Sequence, residues 1–230
     1  RLAEFYERSG RVETLSGKQG SVSIIGAVSP QGSDFSEPVT QNTKRFIRCF
    51  WALDKNLAYA RHFPAINWND SYSEYVNDFS GWYRENVGAD FLSCREELCS
   101  ILSEENKLME IVKLIGADVL PDDQKLVIEV AHVIRSGFLQ QEYFSKNDAF
   151  VPMKKQLAMM SVILKYYHKM RDAVALQIPI SKLLALGISE KLIGMKHDVP
   201  ENDLSLIDKY ASEIDTELNA LIKSRGGDTI

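Results

Sequence analysis

The sequence predicts an α/β edge followed by an all-α helical bundle, with the chain mainly helical overall. Three observations carry this. Residues 21–28, SVSIIGAV, are uncharged, apolar and β-branched, the composition of a strand covered on both faces as in a parallel sheet. Residues 29–38, SPQGSDFSEP, are rich in Pro, Gly and Ser and form a loop. From about Ser71 onward, apolar residues recur at intervals of three and four over long stretches, the signature of helices that share a core. The division expected from these shifts is residues 1–70 for the α/β part and 71–230 for the helical part.

Taken in order, the chain opens with Leu2, Phe5 and Tyr6 on one helical face and a stop at Gly10. A helix this short is marginal in isolation, below about 12 residues, and Arg1 enters it without Met or a capping residue, so more protein is expected before it. Val39 to Asn56 returns to helical spacing through Phe46, Phe50, Leu53 and Leu57. HFPAINW at 62–68 begins as an extended piece, because the residue before Pro64 is pushed away from helical angles. The bundle then reads as Tyr72, Tyr75, Phe79 and Tyr83; Leu98 to Ile115; Leu126 to Ile134; and Leu157 to Tyr167. Pro121 followed by Asp122 and Asp123 opens a helix. A last helix is expected over Asn202 to Ser224, with SRGGDTI as a frayed tail and candidate native end.

The bulk numbers exclude several classes. The 230 residues are 45% hydrophobic and 26% charged, ordinary for a globular chain. A net charge of -5 gives no basis for general nucleic-acid binding. No apolar run is long enough to span a bilayer, and the charged start is not a secretory signal, so a membrane connection would run through partners. Cys49, Cys94 and Cys99 form neither a disulfide framework nor a zinc set and read as reduced cysteines. His62, His132, His168 and His197 are scattered and fall in no metal motif. There is also no nucleophile elbow.

Three stretches remain as functional candidates, each with a plainer alternative. In SPQGSDFSEP, Asp34 and Glu37 can hold water, a metal or a partner's arginine, although the loop lacks the phosphate-cradling GxxxxGK[ST] pattern; the alternative is an ordinary surface loop. In HFPAINW, Phe63 beside rigid Pro64 is placed to stack on a flat ring; the alternative is core packing. In GFLQQEYFSKNDAF at 137–150, Phe144 and Phe150 can close a pocket over an adenine while Gln140 and Gln141 bond its edge; the alternative is satellite core.

Several blocks together resemble the C-terminal part of the catalytic A (alpha) subunit of V-type and archaeal A-type rotary ATPases. They are RLAEFYERSGRV at 1–12, GSVSIIGAVSP at 20–30, GSDFSEPVTQNT at 32–43, FWALDKNLA at 50–58, RHFPAINW at 61–68, SYSEY at 71–75 and FLQQ at 138–141. IPISKLLALGISEKLIGMKHDVPE at 178–201 is similar to the family's stalk-facing region. The departure is at Glu142 and Tyr143, where the family carries small or amide residues.

That resemblance implies the edge of a RecA-like nucleotide-binding domain followed by the C-terminal helical domain. It implies Phe63, Gln141, Phe144 and Phe150 as nucleotide-binding residues, with no catalytic and no metal-ligating residue in this stretch. ATP or ADP and Mg²⁺ would belong to the full-length subunit, where the P-loop, the water-polarising glutamate and the Walker-B aspartate lie before Arg1; this stretch alone is expected to bind no cofactor and to be inactive. The implied partners are the non-catalytic B subunit, alternating in an A3B3 ring and supplying the arginine finger, and the central stalk. No nucleic acid and no membrane insertion are implied, and the location is cytoplasmic, peripheral to the membrane through the assembled ATPase. The helical domain would swing toward bound ATP, and the stretch from Leu184 to Lys196, with Lys182, Lys191 and Lys196, would face an acidic shaft. Asp34 and Glu37 would lie near the boundary with B. The alternative is a non-catalytic helical interaction module, and a P-loop upstream of Arg1 would decide between the two.

Overall fold

The computed structural model describes residues 1–30, 32 and 34–227. They fall into two compact units, one of residues 1–55 and 66–78, the other of residues 56–65 and 79 onward.

In the first unit, helix α1 (Leu2–Tyr6) leads into an antiparallel hairpin of β1 (Gly10–Glu13) and β2 (Gln19–Val22). Gly17, at φ +74°, supplies the left-handed backbone that so tight a reversal needs. The expected buried strand over residues 21–28 is corrected: β2 ends at Val22, residues 23–30 have no regular structure, and Ile25 stands exposed. Among the described residues no strand pairs with 23–28, and an apolar run without a ladder cannot hold a strand's geometry. In the loop that follows, Gln31 and Ser33 lie outside the described residues.

The expected helix over Val39 to Asn56 is also corrected. Helix α2 (Pro38–Lys44) is followed by strand β3 (Cys49–Leu53) and a turn of helix, α3 (Lys55–Tyr59). Strand β4 (Ile66–Ser73) pairs with β3 in antiparallel register, Cys49 opposite Ser73 and Leu53 opposite Ile66, with an irregularity between Phe50 and Ala52, where the partner jumps from Tyr72 to Asn67 and the extra residues bulge from β4. Both sheets are therefore two-stranded and antiparallel, not parallel. The Phe50 and Tyr72 rings face across β3 and β4 at 5.9 Å, with the Lys44 ammonium 4.6 Å from the Phe50 ring, a cross-strand aromatic pair that favours the sheet over the helix. Helix α4 (Tyr75–Asp78) closes this unit, where Arg48 pairs with Asp78 at 2.6 Å and Glu74 at 3.3 Å.

The second unit is helical. After α5 (Ser80–Asn86) come α6 (Phe91–Ile115) and α7 (Asp122–Ile134). Helix α7 continues into a π-helical turn (Arg135–Leu139), followed by α8 (Met153–Ala175), α9 (Ile180–Leu184), α10 (Ile188–Asp198) and α11 (Ser205–Gly227). Part of the expected stripes is buried: Leu98, Leu102 and Leu108 of α6, Leu126, Val130, Val133 and Ile134 of α7, and Met160, Ile163 and Leu164 of α8 join Ile101, Met159, Tyr166 and Met170 in the core. Ile111, Leu114 and Ile115, by contrast, are exposed, and Tyr72 lies in β4. Gly116 at φ +86° ends α6, and Pro121 immediately precedes α7, whose first turn carries Asp122 and Asp123. The last helix starts three residues later than expected and runs to Gly227, past the predicted fraying point; residues 228–230 of the expected tail lie outside the described residues. No described helix is long and apolar enough to cross a membrane.

Candidate functional site

The Phe63 segment and the aromatic loop meet inside the helical unit. The backbone N–H of Gln141 donates to the Phe63 carbonyl at 2.8 Å, and the Gln140 side chain donates to the Arg61 carbonyl at 3.3 Å. The Phe63–Pro64 peptide bond is cis. These bonds join two stretches nearly eighty residues apart at the backbone while their rings stay in solvent. Phe63 is 52% exposed, Phe144 91% and Phe150 66%, so none of the three is sealed in a core. Tyr143 and Phe144 meet edge to face at 5.6 Å. Gln141 is exposed, its amide reaching the Asp148 carbonyl at 3.5 Å, whereas the amide of Gln140 is engaged by Arg61.

Beneath this exposed loop lies a buried polar network that sequence reasoning missed. Lys155 of α8 is 0% exposed and Lys196 of α10 is 5% exposed. The Lys155 ammonium donates to the carbonyls of Asn147 at 2.6 Å, Val199 at 2.7 Å and Lys196 at 3.2 Å. The Lys196 ammonium donates to the carbonyls of Ser136 at 2.8 Å and Gln140 at 2.7 Å, with the buried Asp148 carboxylate 3.9 Å away. Asp148 in turn accepts from the Glu142 N–H at 2.7 Å, and the Asn147 amide donates to the His197 carbonyl at 2.6 Å. Burial depresses the pKa of both lysines, and Asp148 opposes the shift in each case. His62 is likewise lowered, first by burial and then by the charges of Arg135 and Lys196.

The π-helical turn feeds the loop from α7. Its Arg135 pairs with the buried Glu105 of α6, and its Gly137 lies so close to α10 that an added Cβ would sit 3.0 Å from the Ile193 Cα. A signal for Lys155 did exist in the sequence: with Met159, Ile163, Tyr166 and Met170 it occupies the apolar stripe of α8, where an unpaired charge would not be tolerated.

Two other expectations take their place here. The pKa of Asp34 is lowered by Ser36, first through its side chain and then through its backbone N–H, which donates at 2.9 Å, and Glu37 accepts from the Thr40 hydroxyl at 3.0 Å; both organise the entry to α2. Of the stretch from Leu184 to Lys196, expected as a loop, most is helix α10; Lys196 is bonded internally, Lys191 pairs with Glu213 and Glu217 of α11, and Lys182 is exposed. A cleft of about 420 Å³ between α6 and α8, lined by Glu97, Ser161 and His168 among others, is separate from this loop.

Residues 1–73 match the nucleotide-binding domain of the ATP synthase alpha/beta family, and residues 80–184 match the C-terminal domain of V and A type ATP synthase. A small α/β unit and a helical unit in that order define the class, an ATP synthase subunit of the nucleotide-binding kind. Among its relatives, the V-type ATP synthase alpha chain of Halothermothrix orenii is 52% identical over 222 residues, covering 96% of this chain and 38% of the relative. The V-type ATP synthase alpha chain 2 of Clostridium tetani is 51% identical over 223 residues, covering 97% and 38%. A solved ATP synthase subunit from Nanoarcheaum equitans has the same fold at a TM-score of 0.59 and 20% identity, over 72% of this chain and 38% of that one. The chain belongs to the family of alpha (A) chains of V- and A-type ATP synthases. It spans 38% of the length of these two curated relatives.

Proposed function

We propose that this chain is part of the catalytic A (alpha) chain of an ion-translocating rotary ATPase, in which it forms the wall of the adenine pocket. The observation that carries the reading is the backbone bond from Gln141 to Phe63, which ties two ring-bearing segments together with their aromatic faces exposed. Exposed rings carried by segments that are bonded to one another are candidates for stacking on a planar ligand. Phe63, Phe144 and Phe150, with the Gln141 amide, suit the base of ATP or ADP.

The same residues do not suit the triphosphate. The described residues contain no group of side chains able to hold a metal ion, and the loop offers rings and amides where phosphates demand a cradle of backbone N–H groups and cations. On this reading the P-loop, Mg²⁺ and the water-activating carboxylate belong to the rest of the full-length chain. Hydrolysis or synthesis of ATP coupled to proton or sodium transport belongs to the assembly with B subunits and a central stalk. Cytoplasmic location, peripheral to the membrane through that assembly, completes the proposal.

The test is steady-state kinetics of the assembled ATPase carrying Phe63→Ala or Phe144→Ala. Stacking on one ring is worth about 1–3 kcal/mol, so KM for ATP rises roughly fivefold to a hundredfold while kcat stays within about twofold. An unchanged KM with a collapsed kcat would remove both rings from the base and overturn the assignment.

A further inference from the structure

We propose that Lys155 and Lys196 are positioning residues, two buried ammonium groups that hold the 140–152 loop by its backbone and thereby set where Phe144 and Phe150 present their rings. The inference rests on the adenine reading above for its functional consequence, but not for its structural part.

The geometry is specific. Lysine is ordinarily a solvent residue with a flexible, strongly hydrated side chain, and burying its ammonium is tolerated only when each N–H finds an acceptor. Lys155 satisfies this with three carbonyls, from Asn147 in the loop and from Lys196 and Val199 at the end of α10. Lys196 meets it for two of its three N–H groups, with the carbonyls of Ser136 in the π-helical turn and Gln140, the first residue of the loop, and has the Asp148 carboxylate 3.9 Å away. The two lysines thus hold the loop at Gln140 and at Asn147, on either side of Phe144. Asp148 supplies the compensating charge and anchors the Glu142 N–H, so three residues fix the backbone between the two ends. These bonds end on backbone groups and on one carboxylate, not on the rings of the loop. The division is between a backbone that is held and side chains that are free, and it keeps exposed rings in one place without burying them.

The loop does not hold itself. Residues 140–152 contain no regular secondary structure, and the internal backbone bonds are short-range turns, Ser145 N–H to Glu142, Asp148 N–H to Ser145 and Ala149 N–H to Ser145. These shape the chain locally but do not attach it to the helices. The ammonium groups supply five of the bonds that attach it. The others include the Asn147 amide on the His197 carbonyl, the Ser145 hydroxyl 3.0 Å from the His197 Nδ1, the Gln156 amide on the Val151 carbonyl, the Gln140 N–H on the Arg135 carbonyl, and the bonds of Gln140 and Gln141 to Arg61 and Phe63.

The experiment uses the full-length chain in the assembled ATPase, with Lys155→Met as the first variant and Asp148→Asn as the second. Asp148→Asn keeps an oxygen for the Glu142 N–H and removes only the charge, so it reports even if Lys155→Met fails to fold. Amide hydrogen exchange without nucleotide reads the loop, and ATPase kinetics with Mg-ATP read its consequence. The expected result is exchange at least about tenfold faster over residues 141–149, unchanged exchange in the centre of α8, and a KM for ATP raised about tenfold with kcat nearly constant. Loop exchange equal to that of the native protein in both variants overturns the proposal. Faster loop exchange with an unchanged KM upholds the lysines as the loop's anchors and overturns the assignment of the adenine to Phe144.

Discussion

Replacing Gly137 with alanine tests the packing on which the loop depends. Gly137 is buried in the π-helical turn, and a Cβ there would lie 3.0 Å from the Ile193 Cα, 3.2 Å from the Leu192 carbonyl oxygen and 3.5 Å from the Ile193 nitrogen. All three are backbone atoms of α10, which cannot rotate aside as a side chain would. Two effects oppose each other. Alanine in a helical position gains about 0.5–1 kcal/mol over glycine by restricting the unfolded chain. Overpacking a methyl group against backbone costs about 1–3 kcal/mol, because either the π turn or α10 must shift. The clash wins, and the net loss is about 1–2 kcal/mol. For a unit of this size each kcal/mol moves the midpoint by about 2–4 °C, so calorimetry should find Gly137→Ala lower in Tm by about 2–8 °C. Gly81 is the control: it lies in α5 and a Cβ there meets nothing within 4 Å, so Gly81→Ala should leave Tm unchanged or raise it slightly. A Gly137→Ala protein as stable as the native one would refute the close approach of α10.

Two further perturbations follow from the ion pairs. Arg135→Met leaves the Glu105 carboxylate buried without its partner and should cost about 3 kcal/mol in denaturant unfolding; Glu105→Gln keeps an acceptor and should cost less, and the reverse ranking would deny the pair its role. The second concerns acid. Lys191 and Lys165 hold the carboxyls of Glu213 and Asp215 below their ordinary pKa values of 4.5 and 3.8. A depressed carboxylate contributes stability that is fully present above the unfolded pKa and is lost as pH falls through the folded one. The stability gap between the native protein and a Glu213→Gln, Asp215→Asn double variant should therefore be full above pH 4.5 and close as pH drops below 3.8. A gap that stays constant from pH 6 to pH 2 would show that the pairs contribute nothing specific.

The helical unit was legible because its signal is local. Leu98, Ile101, Leu102 and Leu108 announce the buried face of α6 within a few turns, and Gly116 and Pro121 mark the corner after it. The β structure was not, because a strand is defined by a partner elsewhere. Phe46, Phe50 and Leu53 satisfy a helical spacing as well as any true helix does, and only the pairing with Ile66–Ser73 decides for a strand. SVSIIGAV failed for the complementary reason: its composition suits a strand, yet no described neighbour offers the ladder that residues 23–28 would need. At the candidate site the aromatic residues were legible as a surplus of rings in a loop. The lysines were not, since a charge is assigned to solvent by default, and Lys196 was read as reaching outward when its ammonium turns inward to Ser136 and Gln140.

That inward turn changes what the loop can do. If rings were held by their own burial, they would be unavailable to a ligand, and if the backbone were left unheld, ordering it would subtract from binding, at about 1–2 kcal/mol per residue fixed. Lys155, Lys196 and Asp148 separate the two requirements by bonding to backbone groups while Phe144 and Phe150 stay exposed. The cost of burying two ammonium groups is met at folding, before any ligand arrives. It follows that the polar network should matter to ligand affinity without contacting ligand, and that swapping the two lysines for apolar residues should leave α8 and α10 helical yet loosen the segment whose Gln141 N–H bonds Phe63.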